Sequence, residues 1–166
     1  MTPKGALLSE FDDEVASTRR LLDRVPDAAL TWRPHERSMS LGELATHLAH
    51  IPRWGVSILE RDGYDLELDS KGHAPAETSR TAVLETFDRH TSDVRRALVA
   101  RLDAELETPW ALRRAGHLVM SMPRGSALRR FVLNHLVHHR GQLTVYLRMH
   151  DVPLPPLYGP TADERM

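Results

Sequence analysis

The segment that decides the fold is residues 134–143, with the sequence NHLVHHRGQL. It lies in a longer run, about 123–150, whose apolar residues recur at helical spacing and predict an amphipathic helix. His135 and His139 fall near the middle of the apolar arc, whereas His138 lies roughly 100° from its centre. Residues four apart stack on one face of a helix, so the imidazoles of His135 and His139 can converge on one ion.

Three earlier segments also carry apolar residues at helical spacing, at about 7–25, 41–58 and 83–102. The second begins with Ser40 and Glu43, whose S-x-x-E spacing predicts a capping box. Pro52 lies inside this segment and predicts a kink, because proline cannot donate a helical hydrogen bond. Four such segments predict an all-α fold, a four-helix bundle that forms one domain over residues 1–166.

The connections between the helices are less regular. The polar stretch from Asp62 to Glu77 shows no apolar periodicity and predicts a loop. Between Thr108 and Pro123 the apolar residues alternate around a glycine, which leaves two alternatives open between the third and fourth helices. These alternatives are a short β-hairpin and an irregular connector.

A third histidine completes the predicted site. On the second helix His47 lies at the edge of the apolar stripe and can reach inward, whereas His50 lies on the far side. A lone histidine on an apolar face is most often an ordinary core residue. Two buried histidines at i and i+4 are harder to explain as core residues. Each buried ring nitrogen without a hydrogen-bond partner lowers the stability of the fold by about 1–3 kcal/mol. The residue after His135 is Leu136, not the glutamate of an H-E-x-x-H metalloprotease, so the sequence gives no support to that chemistry.

Seven further histidines belong to the chain. Most are predicted to be surface or loop residues: His35, His50, His73, His90, His117 and His150. His50 and His138 are the alternatives if one of the three ligand assignments is wrong.

The composition excludes several classes of function. The chain has 22 Lys and Arg against 23 Asp and Glu, so it lacks the cationic field that nucleic acid or an anionic membrane requires. It has no cysteine, which excludes disulfides, thiolate metal sites and a cysteine nucleophile. No segment predicts a signal peptide or a membrane-spanning helix, so a cytoplasmic protein is expected.

Three segments of the sequence resemble the DinB/YfiT-like superfamily. The stretch NHLVHHRGQL resembles the H-x-x-x-H-R-G-Q signature of that superfamily, and SLGELATHL at 40–48 is similar to its second-helix motif. The segment VPLPPLYGP at 152–160 is similar to the way in which many members end. Together these segments make the resemblance extend over nearly the whole chain.

The resemblance implies a bundle with up-up-down-down connections, a homodimer, and a divalent metal ion, zinc or nickel, as cofactor. Carried over residue by residue, it implies that the metal ligands are His47, His135 and His139. Some members of the superfamily are metal-dependent transferases or isomerases that use a low-molecular-weight thiol.

The leading functional hypothesis is therefore a metal-dependent thiol S-transferase that acts on a small-molecule substrate in detoxification or stress response. Three nitrogen ligands leave a coordination position open, as in catalytic zinc sites. Because the chain has no cysteine, any sulfur nucleophile must come from a cosubstrate. One alternative is a metal-dependent hydrolase with Gln142, Arg140 or Tyr146 near the ion, although Arg140 is more often a solvated or ion-paired surface residue and Tyr146 a core residue. Another alternative is a metal-binding stress-response bundle without catalysis.

Overall fold

The computed structural model describes residues 2–69 and 74–165. The protein is mostly helical, with a small three-stranded sheet. The helices are α1 (Pro3–Leu22), α2 (Leu41–His50), α3 (Arg53–Glu60), α4 (Arg80–Ala100), α5 (Asp103–Leu106), α6 (Arg124–Leu128) and α7 (Asn134–Arg148). The strands are β1 (Gly63–Asp65), β2 (Pro109–Arg114) and β3 (His117–Pro123).

The core lies between the long helices. The contacting pairs are α1 with α4 and α7, α2 with α4 and α7, and α3 with α4. Phe11 of α1, Phe87 of α4 and Leu136 of α7 have almost no exposed surface. Burial of each such side chain contributes about 1.5–3 kcal/mol, so packing rather than helix propensity holds the elements together.

The predicted capping box and kink are both confirmed in the second helical segment. Ser40 Oγ accepts from the Glu43 N–H at 3.1 Å, and Glu43 Oε2 accepts from the Ser40 N–H at 2.6 Å. The segment breaks between α2 and α3 at Pro52, where the Gly55 N–H bonds to the Pro52 carbonyl at 2.8 Å. This contact spans three residues instead of four, so the helix tightens as it passes the proline.

The sheet corrects the expectation of an all-α chain. The hairpin alternative is the right one, because β2 pairs with β3 in antiparallel fashion. The prediction of a plain loop over 62–77 is wrong at Gly63–Asp65, which pairs in parallel with β2. A three-residue strand has too few side chains to show an alternating pattern, so its pairing partner decides its conformation. Leu102, predicted on the third helix, lies beyond the end of α4 and is exposed.

Asp65 ties β1 to the hairpin turn. Its carboxylate accepts from the N–H groups of Ala115 and Gly116, at 3.1 and 2.7 Å, in a turn where both residues have positive φ. Burial raises the pKa of Asp65, but these backbone donors and those of Glu67 and Leu68 outweigh it and lower the pKa to about 2. The carboxylate therefore stays ionised and holds the turn throughout the neutral range.

The last helical segment is continuous but not uniform. It begins with α6 at Arg124, directly after β3, and passes through a π-helical turn at Arg129–Leu133 into α7. In that turn the Asn134 N–H reaches back five residues to the Arg129 carbonyl. Such π-turns are often found at functional sites, and this one immediately precedes His135.

No helix of the described part of the chain is both long enough and apolar enough to cross a membrane.

Candidate metal centre

Three imidazole nitrogens converge between α2 and α7. His135 Nε2 lies 3.0 Å from His139 Nε2 and 3.2 Å from His47 Nε2. One ligand atom from each of the three rings lies within 4.8 Å of the others. The structure thus brings together the three histidines predicted from the sequence, and among the described residues this is the only such group of His, Asp or Glu that could hold a metal ion.

The two helices present these rings in different ways. His135 and His139 project from adjacent turns of α7, directly after the π-helical turn. His47 projects from the last turn of α2, five residues before Pro52. His47 and His135 are both half-buried. The site is therefore built on helices, with one side at the surface.

The backbone of Phe131 acts on the His135 ring. It raises the pKa of His135, as a nearby carbonyl acceptor does, and so opposes the effect of burial. The Nε2 atom of His135 faces the other two histidines. When Nδ1 carries the proton of the neutral ring, the lone pair on Nε2 points to the centre of the site.

The proton on His139 is fixed by a side chain. Its Nδ1 lies 2.7 Å from Gln142 Oε1, an oxygen that can only accept, so Nδ1 carries the proton. In this orientation of the amide, the nitrogen of Gln142 faces His138 Nε2 at 3.3 Å. His139 Nε2 therefore also presents a lone pair to the centre.

This donor set fits a metal cation. Two neutral imidazoles whose Nε2 lone pairs face each other at 3.0 Å have no proton between them and repel. A cation between them removes the repulsion. Two nitrogens that bind one tetrahedral zinc ion are about 3.3 Å apart, close to the 3.0 and 3.2 Å separations of this site.

Burial keeps the α7 pair neutral. Burial lowers the pKa of His135 below its ordinary value, and the charges of His139 and His138 act in the same direction. Burial also lowers the pKa of His139, although its hydrogen bond to Gln142 opposes this. Neutral imidazole is the form that binds a metal, so the site needs no deprotonation at neutral pH.

Metal affinity is expected to be independent of pH above about 6.5 and to fall at lower pH, because protons compete for the same nitrogens. The lowered pKa values of His135 and His139 extend full binding to more acidic pH than ordinary imidazoles would allow. Metal content measured after dialysis between about pH 5 and pH 8 checks this. Loss of metal that begins well above pH 6.5 would contradict it.

Replacing Gln142 by alanine is expected to weaken metal affinity about tenfold to a hundredfold, the usual cost of losing the group that orients a histidine ligand. A competition titration against a chelator of known affinity measures the change. His138→Ala is the matched control, because His138 packs against the His139 ring, with centroids 4.7 Å apart, but forms its hydrogen bond with Gln142, so its loss should have a much smaller effect. Equal effects of the two variants would show that Gln142 does not orient His139.

The other candidate residues lie elsewhere. Arg140 is fully buried and contacts Glu14 and Tyr158 rather than the histidines, so its interpretation as a surface residue is wrong. Tyr146 donates to the Met39 carbonyl at 3.2 Å. Of the three groups considered for a hydrolase, only Gln142 reaches a site histidine.

Two histidines expected at the surface are half-buried on helices instead. His50 ends α2, and His90 of α4 donates from Nδ1 to the Ala49 carbonyl at 2.9 Å. His35 and His117 are exposed, as predicted, and His150 packs in the turn after α7 with its ring centroid 4.5 Å from that of Trp32. His73 lies outside the described residues.

A cavity beside the histidines could not be found from the sequence. It has a volume of about 460 Å³ and is lined by the loop at 33–39, by one side of α2 including His47, and by residues 74–76. Its size is that of a small-molecule site. The loop residues that line it follow no periodic pattern, so nothing in the sequence distinguishes them from other surface loops.

Comparisons with known proteins agree on one family. The model of the DinB family matches residues 1–165. The Bacillus subtilis (strain 168) protein YrdA is 26% identical over 157 residues, which cover 95% of this chain and 89% of YrdA. YjoA from the same organism is 24% identical over 149 residues, which cover 89% of this chain and 91% of YjoA.

Two solved structures have a similar fold. A DinB-like protein from Bacillus cereus ATCC 10987 superposes with a TM-score of 0.71 at 24% identity, covering 92% of this chain and 95% of that one. The YjoA structure gives a TM-score of 0.72 at 19% identity, covering 92% and 97%. With the family model spanning nearly its whole length, the chain belongs to the DinB family.

Proposed function

We propose that the protein is a metal-dependent enzyme that joins a low-molecular-weight thiol to a small electrophile. The observation that carries this proposal is the convergence of three histidine nitrogens, one of which, on His47, belongs to a residue that lines a cavity of small-molecule size. His47, His135 and His139 would hold a divalent ion, zinc or nickel. A bound ion would supply Lewis acidity toward a thiol or an oxygen atom.

The chain's own residues support the rest of the reaction. The Phe131 backbone and the Gln142 side chain would favour Nδ1-protonated rings at His135 and His139, and half-burial of the rings limits the access of water. No cysteine is present to compete with an external thiol. In the proposed reaction the thiol sulfur bonds to an electrophilic carbon, the bond from that carbon to its leaving group breaks, and the thiol proton departs with that group.

The architecture supports the same proposal. If α2–α3 and α6–α7 are each counted as one interrupted helix, four long helical segments contact one another around the core. This supports a four-helix bundle in the up-up-down-down order, as one domain over residues 1–166. A homodimer and a cytoplasmic location remain predictions that gel filtration and cell fractionation can test.

The test combines metal analysis with a substrate panel. Purified protein should contain a divalent metal, and a haloalkane electrophile should be consumed faster when a suitable small thiol is added. His47→Ala should abolish the acceleration, whereas His117→Ala, which removes an exposed histidine of the hairpin, should not. Consumption that needs no thiol would favour the hydrolase, and metal binding without any turnover would favour the non-catalytic bundle.

A further inference from the structure

The cavity beside His47 is lined by histidines and by charged residues. His47 and His50 lie one turn apart on α2. Glu36 and Arg37, in the loop before α2, line the same cavity. A molecule in this cavity can therefore meet both a histidine of the candidate metal centre and charged side chains.

The charges that line the cavity are not equally available. Glu43 accepts from the Ser40 N–H at 2.6 Å and lies 3.5 Å from the Arg33 guanidinium, so these two charges are already engaged. Glu36 and Arg37 are exposed, and neither side chain forms an ion pair with another residue in the ranges 2–69 and 74–165. One carboxylate and one guanidinium, adjacent in sequence, thus remain available to a ligand.

One histidine that lines the cavity has an unsatisfied polar atom. The Nδ1 atom of His50 is buried and has no hydrogen-bond partner among the described residues. The nearby His90 ring, with its centroid 5.0 Å away, uses its own Nδ1 for the Ala49 carbonyl. Because this Nδ1 atom has almost no accessible surface, a ligand in the cavity meets the other atoms of His50.

We propose that this cavity binds a small zwitterion of the amino-acid type. Arg37 pairs with the ligand carboxylate, Glu36 pairs with its ammonium group, and the ligand side chain extends toward His47. A guanidinium and a carboxylate of the protein match the two charges of such a ligand, whereas an anion or a cation alone would leave one of them repelled or unpaired. The inference extends the proposed function by specifying its thiol as cysteine-like, but the charge selection itself does not depend on sulfur.

The experiment measures affinities for ligands that differ by one charged group. The full-length protein is loaded with Co²⁺, and its metal content is verified. L-cysteine, 3-mercaptopropionate, which lacks the ammonium group, and cysteamine, which lacks the carboxylate, are then titrated by calorimetry while cobalt–thiolate absorption is recorded. L-alanine, propionate and ethylamine form a parallel series without sulfur. In both series the zwitterion should bind about twofold to fivefold more tightly than either singly charged analogue, the effect of one partly exposed ion pair.

Variants of the two charged residues separate their contributions. Glu36→Gln should abolish the preference for L-cysteine over 3-mercaptopropionate and leave the preference over cysteamine unchanged. Arg37→Gln should do the reverse. The matched controls Glu85→Gln and Arg96→Gln remove exposed charges of α4 that lie outside the cavity, and both preferences should persist in them.

The outcomes keep the two proposals distinct. Equal affinities within each series, or no measurable binding in either, overturn the zwitterion inference even if cobalt–thiolate absorption shows that thiols reach the ion. Preference for L-alanine over propionate and ethylamine, without cobalt–thiolate absorption from any thiol, supports the zwitterion inference and overturns the thiol chemistry. A preference that survives both Glu36→Gln and Arg37→Gln shows that other residues select the ligand and overturns the assignment.

Discussion

Replacing His135 by alanine is expected to remove bound metal from the protein. His135 Nε2 is the nitrogen closest to both other histidines, at 3.0 and 3.2 Å, so its loss takes away the central ligand. Loss of a group that only orients a ligand already costs up to about a hundredfold in affinity, and loss of the ligand itself should cost more. Metal analysis after dialysis at neutral pH measures this outcome.

The His135→Ala variant should also lose the thermal stabilisation that bound metal gives to the folded protein. A ligand at a hundred times its dissociation constant stabilises the folded state by about 2.7 kcal/mol. In a protein of this size that corresponds to a rise of roughly 5–10 °C in the melting temperature. Added metal should raise the melting temperature of the wild type and of His117→Ala, but not that of His135→Ala. His139→Ala provides a second variant should His135→Ala fold poorly, and full metal content in both would refute the site.

Replacing Arg140 by methionine is expected to lower the free energy of unfolding by about 3–5 kcal/mol, the usual cost of breaking one side of a buried ion pair. The Arg140 side chain is 1% exposed and lies 2.6 Å from Glu14 Oε2. It also donates to the Tyr158 hydroxyl at 2.6 Å, and that hydroxyl in turn donates to Glu14 Oε1 at 2.8 Å. The substitution leaves Glu14, which is 13% exposed, without its cation.

Chemical denaturation of three variants tests the explanation. Arg140→Met alone should be strongly destabilised, whereas the double variant Glu14→Leu, Arg140→Met should recover much of the loss, because well-packed apolar residues often replace a buried ion pair at little cost. Metal binding should persist in the folded Arg140→Met protein, since Arg140 does not contact the site histidines. Destabilisation below about 1 kcal/mol would show that the pair behaves like an exposed one.

The burial of Arg140 depends on partners that are distant in the sequence. Its neighbour His139 was predicted as a metal ligand from helical spacing, whereas Arg140 was interpreted as a surface residue because arginine is almost never fully buried. The partners that permit burial are Glu14, 126 residues earlier, and Tyr158 in the C-terminal segment. Neither belongs to α7, so no local pattern could reveal the pair.

Most helix boundaries were predictable because their causes are local. The Ser40–Glu43 capping box, the break at Pro52 and the end of the last helix before Pro153 depend on residues a few positions apart. The strand Gly63–Asp65 was missed because it is held by hydrogen bonds to β2 and to the turn at 115–116, about 50 residues later. Its conformation is a consequence of long-range pairing.

The sequence by itself determined that His135 and His139 share one helical face, because a helix brings residues four apart together wherever it lies. The meeting of His47 with His135, 88 residues later, was decided by the packing of α2 against α7. The groups next to the outer ring nitrogens are local as well, since Phe131 lies four residues before His135 and Gln142 three residues after His139. Tertiary structure alone formed the cavity between the loop at 33–39, α2 and residues 74–76. Short-range contacts follow from backbone geometry, whereas the meeting of His47 with His135 and the cavity depend on how the core packs.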